Sequence, residues 1–505
     1  MENWSEKKKL NWLILCGINF FVIMLTCRLM LNIHFSPDTY DIWTTSDNNV
    51  DVHLRDGRFI TAALYQLLAI LGANVAKCQS IFTVIFIITI SFVVTTLTYA
   101  AKRYLKDNDY GKIIGVDAAF LLIFHNAFIA EWYLFPESLL MYSVCMLGMA
   151  GAVLLYIRTI ECKSIKDIAI NICGCFVLLI IALGTYQVSI GMYISLLFIF
   201  IFINDKLEVN KKIVYAGIGL FIGAINCVLN IVIVKLLTVL HVMQPTPRGA
   251  ALNITAILNN IKSIIESQGK ILCGHNLFKP YTLIAYFGIL LIVTCITTYR
   301  QKVEWKKIVI AIVFTFCIYI GSYIPHFVSS DFWLSQRTLV PMFGVYSFLI
   351  IAIVSIEKKK SIQYFVTMVA VIFVLDNSVL MNDIFSNHLS MDNFDVAYAK
   401  EINHYIEKYT EETGLEVNFL SIARDENPTW SYEGIKYVTY DINVKNILRS
   451  WSNIGLINTA NNTNYSAKEM DDKIWQEYFE GKDWNQFEPE EQIVFDGDTA
   501  YIVIY

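Results

Sequence analysis

The sequence predicts an all-α polytopic membrane protein of about eleven transmembrane helices, with a small α/β domain at its C-terminal end. Three observations carry this. Of 505 residues, 56% are hydrophobic and 16% charged, against about 25% charged in ordinary soluble domains. The apolar residues gather in runs long enough to span the ~30 Å hydrocarbon core of a bilayer. The charge is also split: from Met381 onward there are 23 acids and 9 bases, a net of −14, whereas the preceding part has 21 acids and 30 bases, a net of +9. The overall −5 thus hides a basic membrane part, residues 1–380, joined to an acidic water-soluble part, residues 381–505.

The chain opens on Lys7, Lys8 and Lys9, and then an apolar run over residues 10–31. That run is too long for a signal peptide and has no small-residue cleavage site, so it reads as a retained first helix. Further runs cover residues 80–100, 113–131, 138–156, 168–186, 190–203, 213–242, 281–298, 308–324, 339–356 and 362–380. Lys and Arg cluster in every second loop: Lys7 to Lys9; Lys102, Arg103, Lys106 and Lys112; Arg158, Lys163 and Lys166; Lys206, Lys211 and Lys212; Arg300, Lys302, Lys306 and Lys307; Lys358 to Lys360. The positive-inside rule makes these loops cytoplasmic. The N-terminus is then cytoplasmic, and the other loops and the C-terminal domain are extracytoplasmic at the cell membrane.

Residues 58–73, in the first outer loop, read as an interfacial helix, because a span there would reverse every later charge cluster. In the tail, residues 395–410 look helical with Gly414 as a stop, residues 417–423 read as a buried strand, and residues 493–495 and 499–505 as a hairpin around Asp496-Gly497-Asp498. The eleven cysteines lie almost wholly in apolar runs, none after Cys317, and form no disulfide framework. No basic cluster has the density or aromatic interleaving that nucleic acid requires.

Chemistry could sit in the outer loops. The first holds Ser36-Pro37-Asp38-Thr39-Tyr40-Asp41 and Arg55-Asp56-Gly57-Arg58. A carboxylate there could take a proton from a hydroxyl, and a second could position that hydroxyl or a cation. Arg58 is suited to a lipid phosphate through its bidentate fork. Glu131 and Glu137 bracket a turn, and Gly184-Thr185-Tyr186-Gln187 puts a phenol and an amide at a helix end, able to meet sugar hydroxyls. Arg337 and Arg248 are further phosphate candidates. Each has a plainer reading as an interface residue. Of the intramembrane polar residues, Lys235 lies nearest mid-span, while His125 reads as a satisfied core histidine. No metal-ligand spacing or phosphate loop occurs; a divalent cation is left open, and no cofactor is specified.

Asp56-Gly57-Arg58 opening a leucine-rich segment, and Leu183-Gly184-Thr185-Tyr186-Gln187 before a further apolar run, occur in order behind a first helix and an acidic outer loop. This order resembles the membrane glucosyltransferases of the phage-encoded type II serotype-conversion family, which modify bacterial O-antigen. Glu131, Glu137 and Arg337 sit where that family has polar outer residues. Relatives usually carry adjacent acids after the first helix, whereas Asp38 and Asp41 are separated by two residues, so which one is the base stays open. The resemblance implies a multi-spanning glycosyltransferase-C-like fold, a polyprenyl-phosphate glucose donor and a cell-surface glycan acceptor. In that reading Asp38 or Asp41 is the base, Arg58, Arg337 and Arg248 hold the donor phosphate, and Asp56, Glu131, Glu137, Tyr186 and Gln187 meet sugar or acceptor. The tail is expected to support acceptor recognition without an essential chemical part. A glycan polymerase or ligase using His326 and Arg337 is the alternative. A transporter or flippase would show matched halves or broken helices, and neither is found.

Overall fold

The computed structural model describes residues 6–44, 47–105, 109–244 and 253–505. Among these, eight helices are long and apolar enough to cross a membrane: Glu6–Leu31, Gln79–Lys102, Tyr110–Tyr133, Pro136–Glu161, Ile165–Thr185, Val209–Val239, Thr282–Arg300 and Lys360–Thr413. Ser189–Ile203, Trp305–Gly321 and Val340–Ile356 fill the remaining expected runs, at 15 to 17 residues each. With a rise of ~1.5 Å per residue they reach about 22–26 Å, short of a full span. Every residue of Ser189–Ile203 is buried. Protein surrounds it, so it need not meet lipid along its length.

The loops carrying the basic clusters meet at one end of the bundle. Arg103 and Lys206 reach Glu161 at 3.1 and 3.6 Å, Lys360 reaches Asp109 at 3.7 Å, and Gln301 donates to Glu357 at 2.7 Å. Polar groups inside the bundle tie helices together. Asp117 accepts from Asn19 at 3.2 Å and Thr98 at 2.9 Å, and His125 Nε2 lies 3.4 Å from Thr26 Oγ1 and 3.3 Å from Ser378 Oγ. Lys235 instead lies on an exposed helix face. All eleven cysteines are free thiols.

The stretch expected to lie at the membrane interface folds as the helix Phe59–Ile70. Thr61, Ala62 and Tyr65 turn inward, while Leu67 and Ile70 remain exposed. The chain then enters the C-terminal part through one helix, Lys360–Thr413, with no break at residue 380. Its 54 residues contain no Gly or Pro, so nothing local stops it. At ~1.5 Å per residue it runs about 80 Å. Gly414, at φ 74°, caps it in the left-handed conformation that glycine adopts without strain.

Strands β1 (Phe419–Arg424), β2 (Ser466–Ala467), β3 (Ile493–Asp496) and β4 (Thr499–Ile504) form a sheet of order β2-β1-β4-β3. β1 is parallel to β2 and β4, and β3 is antiparallel to β4 through the expected hairpin. The two-residue β2 carries no sequence pattern of its own. The core beneath the sheet joins Leu420, Ile502, Leu456 and Tyr398 to Tyr40 of the first loop. That loop is therefore packed into the C-terminal part as well as tethered to the first helix.

Candidate active site

Opposite the basic end, the first loop folds as a short helix, Pro37–Thr44. Ser36 Oγ accepts from the Thr39 N–H at 3.1 Å, and the Ser36 N–H donates to Thr39 Oγ1 at 3.0 Å. With Pro37 in the first turn, this reciprocal cap fixes where the helix begins. Tyr40 then faces the C-terminal core while Asp38 faces the bundle. Asp38 Oδ1 accepts the Trp451 indole N–H at 3.1 Å.

Glu137 anchors this helix from below. It is 2% exposed and accepts Thr39 Oγ1 at 2.7 Å and Ser36 Oγ at 3.3 Å. Tyr65 of the interfacial helix donates to its carbonyl. Glu131, 0% exposed, anchors a second segment: it accepts the Arg337 backbone N–H at 2.7 Å and lies 3.5 Å from the Arg337 guanidinium. The Trp132 indole donates to the Arg337 carbonyl at 2.9 Å. Both glutamates, expected to meet sugar or acceptor, have partners inside the protein: Glu137 holds the turn that carries Asp38, and Glu131 holds the Arg337 segment.

Arg337 packs 4.5 Å over the Phe135 ring and pairs with Asp441 at 3.2 Å. Burial works against its charge, but Glu131 and Asp441 outweigh that and hold the guanidinium above its ordinary value. Asp441 also takes Arg449 at 2.9 Å, so one carboxylate of the C-terminal part bridges two arginines.

Arg58 comes from the opposite wall. Gly57, at φ 73°, lets the chain reverse after Val50–Arg55, and the Arg58 N–H returns to the His53 carbonyl at 2.8 Å. Arg58 lies 5.3 Å over Tyr186 and 3.6 Å from Asp56. Gln187, expected to meet sugar, donates to the Asp56 and Gly57 carbonyls at 3.3 and 3.2 Å. A Cβ on Gly184 would stand 2.6 Å from the Phe59 ring, so this glycine lets the interfacial helix seat closely. The Leu183-to-Gln187 motif is thus the socket for Asp56-Gly57-Arg58.

Asp38 and Asp41 part company. Partial burial raises the Asp38 carboxyl above its ordinary value; Arg337 and Arg58 pull it down and Asp441 pushes it up. It shares its surroundings with both arginines. Asp41 faces Asp47 and Asn49 of its own loop. Arg248 lies outside the described residues. The His326 ring packs edge-on against Phe332. Among the described residues, no three His, Cys, Asp or Glu side chains are grouped to hold a metal ion.

Sequence reasoning missed Asp441 and Arg449. They lie in an irregular stretch with no periodicity, and only their meeting with Arg337 marks them. Trp451 stands out in the sequence only as one of several tail tryptophans. The tail reaches the candidate site directly, since Asp441 contacts Arg337 and Trp451 contacts Asp38.

One end of this bundle of apolar helices gathers a half-buried carboxylate, two arginines on aromatic rings and a covering C-terminal part, the build of a membrane protein with a polar site at one end. The chain belongs to the family described as Glucosyl transferase GtrII, whose model matches residues 28–356. The match contains Asp38, Arg58, Glu131, Glu137, Tyr186, Gln187 and Arg337, and ends before Asp441, Arg449 and Trp451. No curated protein and no solved structure matches the chain.

Proposed function

We propose that this glucosyltransferase moves glucose from a polyprenyl-phosphate donor to a cell-surface glycan on the outer face of the cell membrane. The observation that carries this reading is that Arg337 and Arg58 both act electrostatically on Asp38, at the end of the bundle away from the basic loops. Those basic loops face the cytoplasm by the positive-inside rule, which puts the Asp38 end outside.

In the reaction, an acceptor hydroxyl attacks the anomeric carbon. Asp38 takes the hydroxyl proton as the new C–O bond forms. The bond from that carbon to the phosphate oxygen breaks, and the lipid phosphate leaves with the electron pair and with inversion at carbon. Arg337 and Arg58 receive the charge developing on the phosphate. They are already oriented by Glu131, Phe135 and Tyr186, so little reorganisation is needed at the transition state. The exposed Leu67 and Ile70 of the interfacial helix keep this arginine pair at the level of a lipid headgroup.

Asp38→Asn keeps the acceptor for the Trp451 indole and removes the basic oxygen. Transfer by purified protein should fall by about 10²–10⁴-fold with membrane levels unchanged. Near wild-type transfer in Asp38→Asn, with loss in Asp41→Asn, would move the base to Asp41.

A further inference from the structure

Beside Asp38 the C-terminal part opens into two recesses that share Arg424. One, of about 330 Å³, is lined by Ala423, Arg424, Leu448, Arg449 and Trp451 among others. The other, of about 420 Å³, is lined by Arg424, Asp425, Asn427, Pro428 and Trp430 among others. Trp451 is the wall common to the first recess and the candidate base, because its indole N–H is the one that Asp38 accepts.

The lining is unusual for a folded domain. Trp430 and Trp451 are 42% and 55% exposed, although a tryptophan gains most by burial. Guanidinium groups lie against the rings: Arg449 is 5.6 Å from the Trp430 centroid and 5.7 Å from that of Trp451, and Arg424 is 5.5 Å from Trp430. Asp425 adds a carboxylate to the lining. It is only 6% exposed. Its carboxyl takes the Trp484 backbone N–H on Oδ2 at 3.4 Å and a backbone hydrogen bond from Asn427.

We infer that this pair of recesses is one groove, which binds a pyranose polysaccharide along Trp451, Arg449, Trp430 and Arg424 and delivers its hydroxyl to Asp38. The ligand follows from the lining. A pyranose ring has flat faces rich in C–H, which settle on an indole, and a rim of hydroxyls. Those hydroxyls can accept from Arg424 and Arg449, which line the recesses. Exposed aromatic surface interleaved with a few convergent polar groups is the pattern of a ligand site. This inference deepens the transferase reading and rests on it for the direction of the chain toward Asp38.

The test uses the full-length protein in lipid nanodiscs and, as probe, soluble wall polysaccharide cleaved to short oligosaccharides, with polyglutamate as a charge control. Binding is read by quenching of tryptophan fluorescence and by affinity electrophoresis. Trp430→Ala and Arg424→Ala should each weaken oligosaccharide binding at least tenfold. Trp430→Phe, which keeps a stacking face, should lose much less, and thermal unfolding of all three should match wild type. Unchanged oligosaccharide binding in Trp430→Ala would overturn the groove. So would equal competition by polyglutamate, which would make it a plain charge site. Wild-type protein that binds oligosaccharide as expected but never releases lipid phosphate from a polyprenyl-phosphate sugar would overturn the transferase mechanism and leave the groove standing.

Discussion

Asp441→Asn is the sharpest probe of how the two parts of the chain cooperate. Asp441 sits about a hundred residues beyond Arg337 and outside the matched family span, yet its two oxygens receive Arg337 at 3.2 Å and Arg449 at 2.9 Å. A hydrogen bond to a charged group contributes about 1.5–3 kcal/mol. Asparagine keeps one oxygen for one of the arginines and turns an amide toward the other, so about one such contact is lost. At about 1.4 kcal/mol per tenfold, transfer should fall about 10- to 100-fold if Arg337 must be held in place for the leaving phosphate. Folding should survive, because Arg337 keeps Glu131 and Arg449 keeps the Tyr440 carbonyl at 3.4 Å. The assay is release of lipid phosphate by purified protein in detergent at saturating acceptor, alongside thermal unfolding and membrane levels. Transfer within twofold of wild type would refute the argument. So would a loss matched by a lower unfolding temperature, which would make Asp441 a folding residue only.

Three further outcomes are expected. Arg58→Lys keeps the charge but loses the planar fork over Tyr186, so kcat/KM for the donor should fall about tenfold, a cost of ~1.4 kcal/mol; steady-state kinetics with varied donor checks it, and an unchanged value would detach Arg58 from the phosphate. Because Asp38 must be ionised to accept a proton and burial raises its carboxyl, transfer should decline with falling pH above the ordinary carboxylate value of about 3.9. Asp441 contributes to that rise, so Asp441→Asn should move the acid limb to lower pH; a shift upward, or none, would mean another group titrates. A reporter active only in the cytoplasm, fused after Tyr505, should stay silent, and a working reporter would place the Asp38 end inside the cell.

What the sequence determined alone was local. Apolar runs of bilayer length became helices in the expected order, because backbone groups in lipid must be satisfied within the segment. Ser36-Pro37 began a helix, Gly57 turned the chain, and Gly414 ended one, each through backbone preferences of a few neighbouring residues. The same local logic explains why the backbone does not mark the change in charge. The rise in acidity after residue 380 resembles a domain boundary, but an acidic surface does not stop a helix that lacks Gly and Pro, so Lys360–Thr413 runs through it. The site itself was decided elsewhere. Arg337 meets Glu131 across 206 residues, and Trp451 meets Asp38 across 413. Glu131, Glu137 and Gln187 all look like ligand-binding residues in sequence, yet their partners are a distant backbone N–H, two hydroxyls and a turn. No periodicity records such pairings, because they exist only once the loops have closed and water has been excluded from the carboxylates they bury.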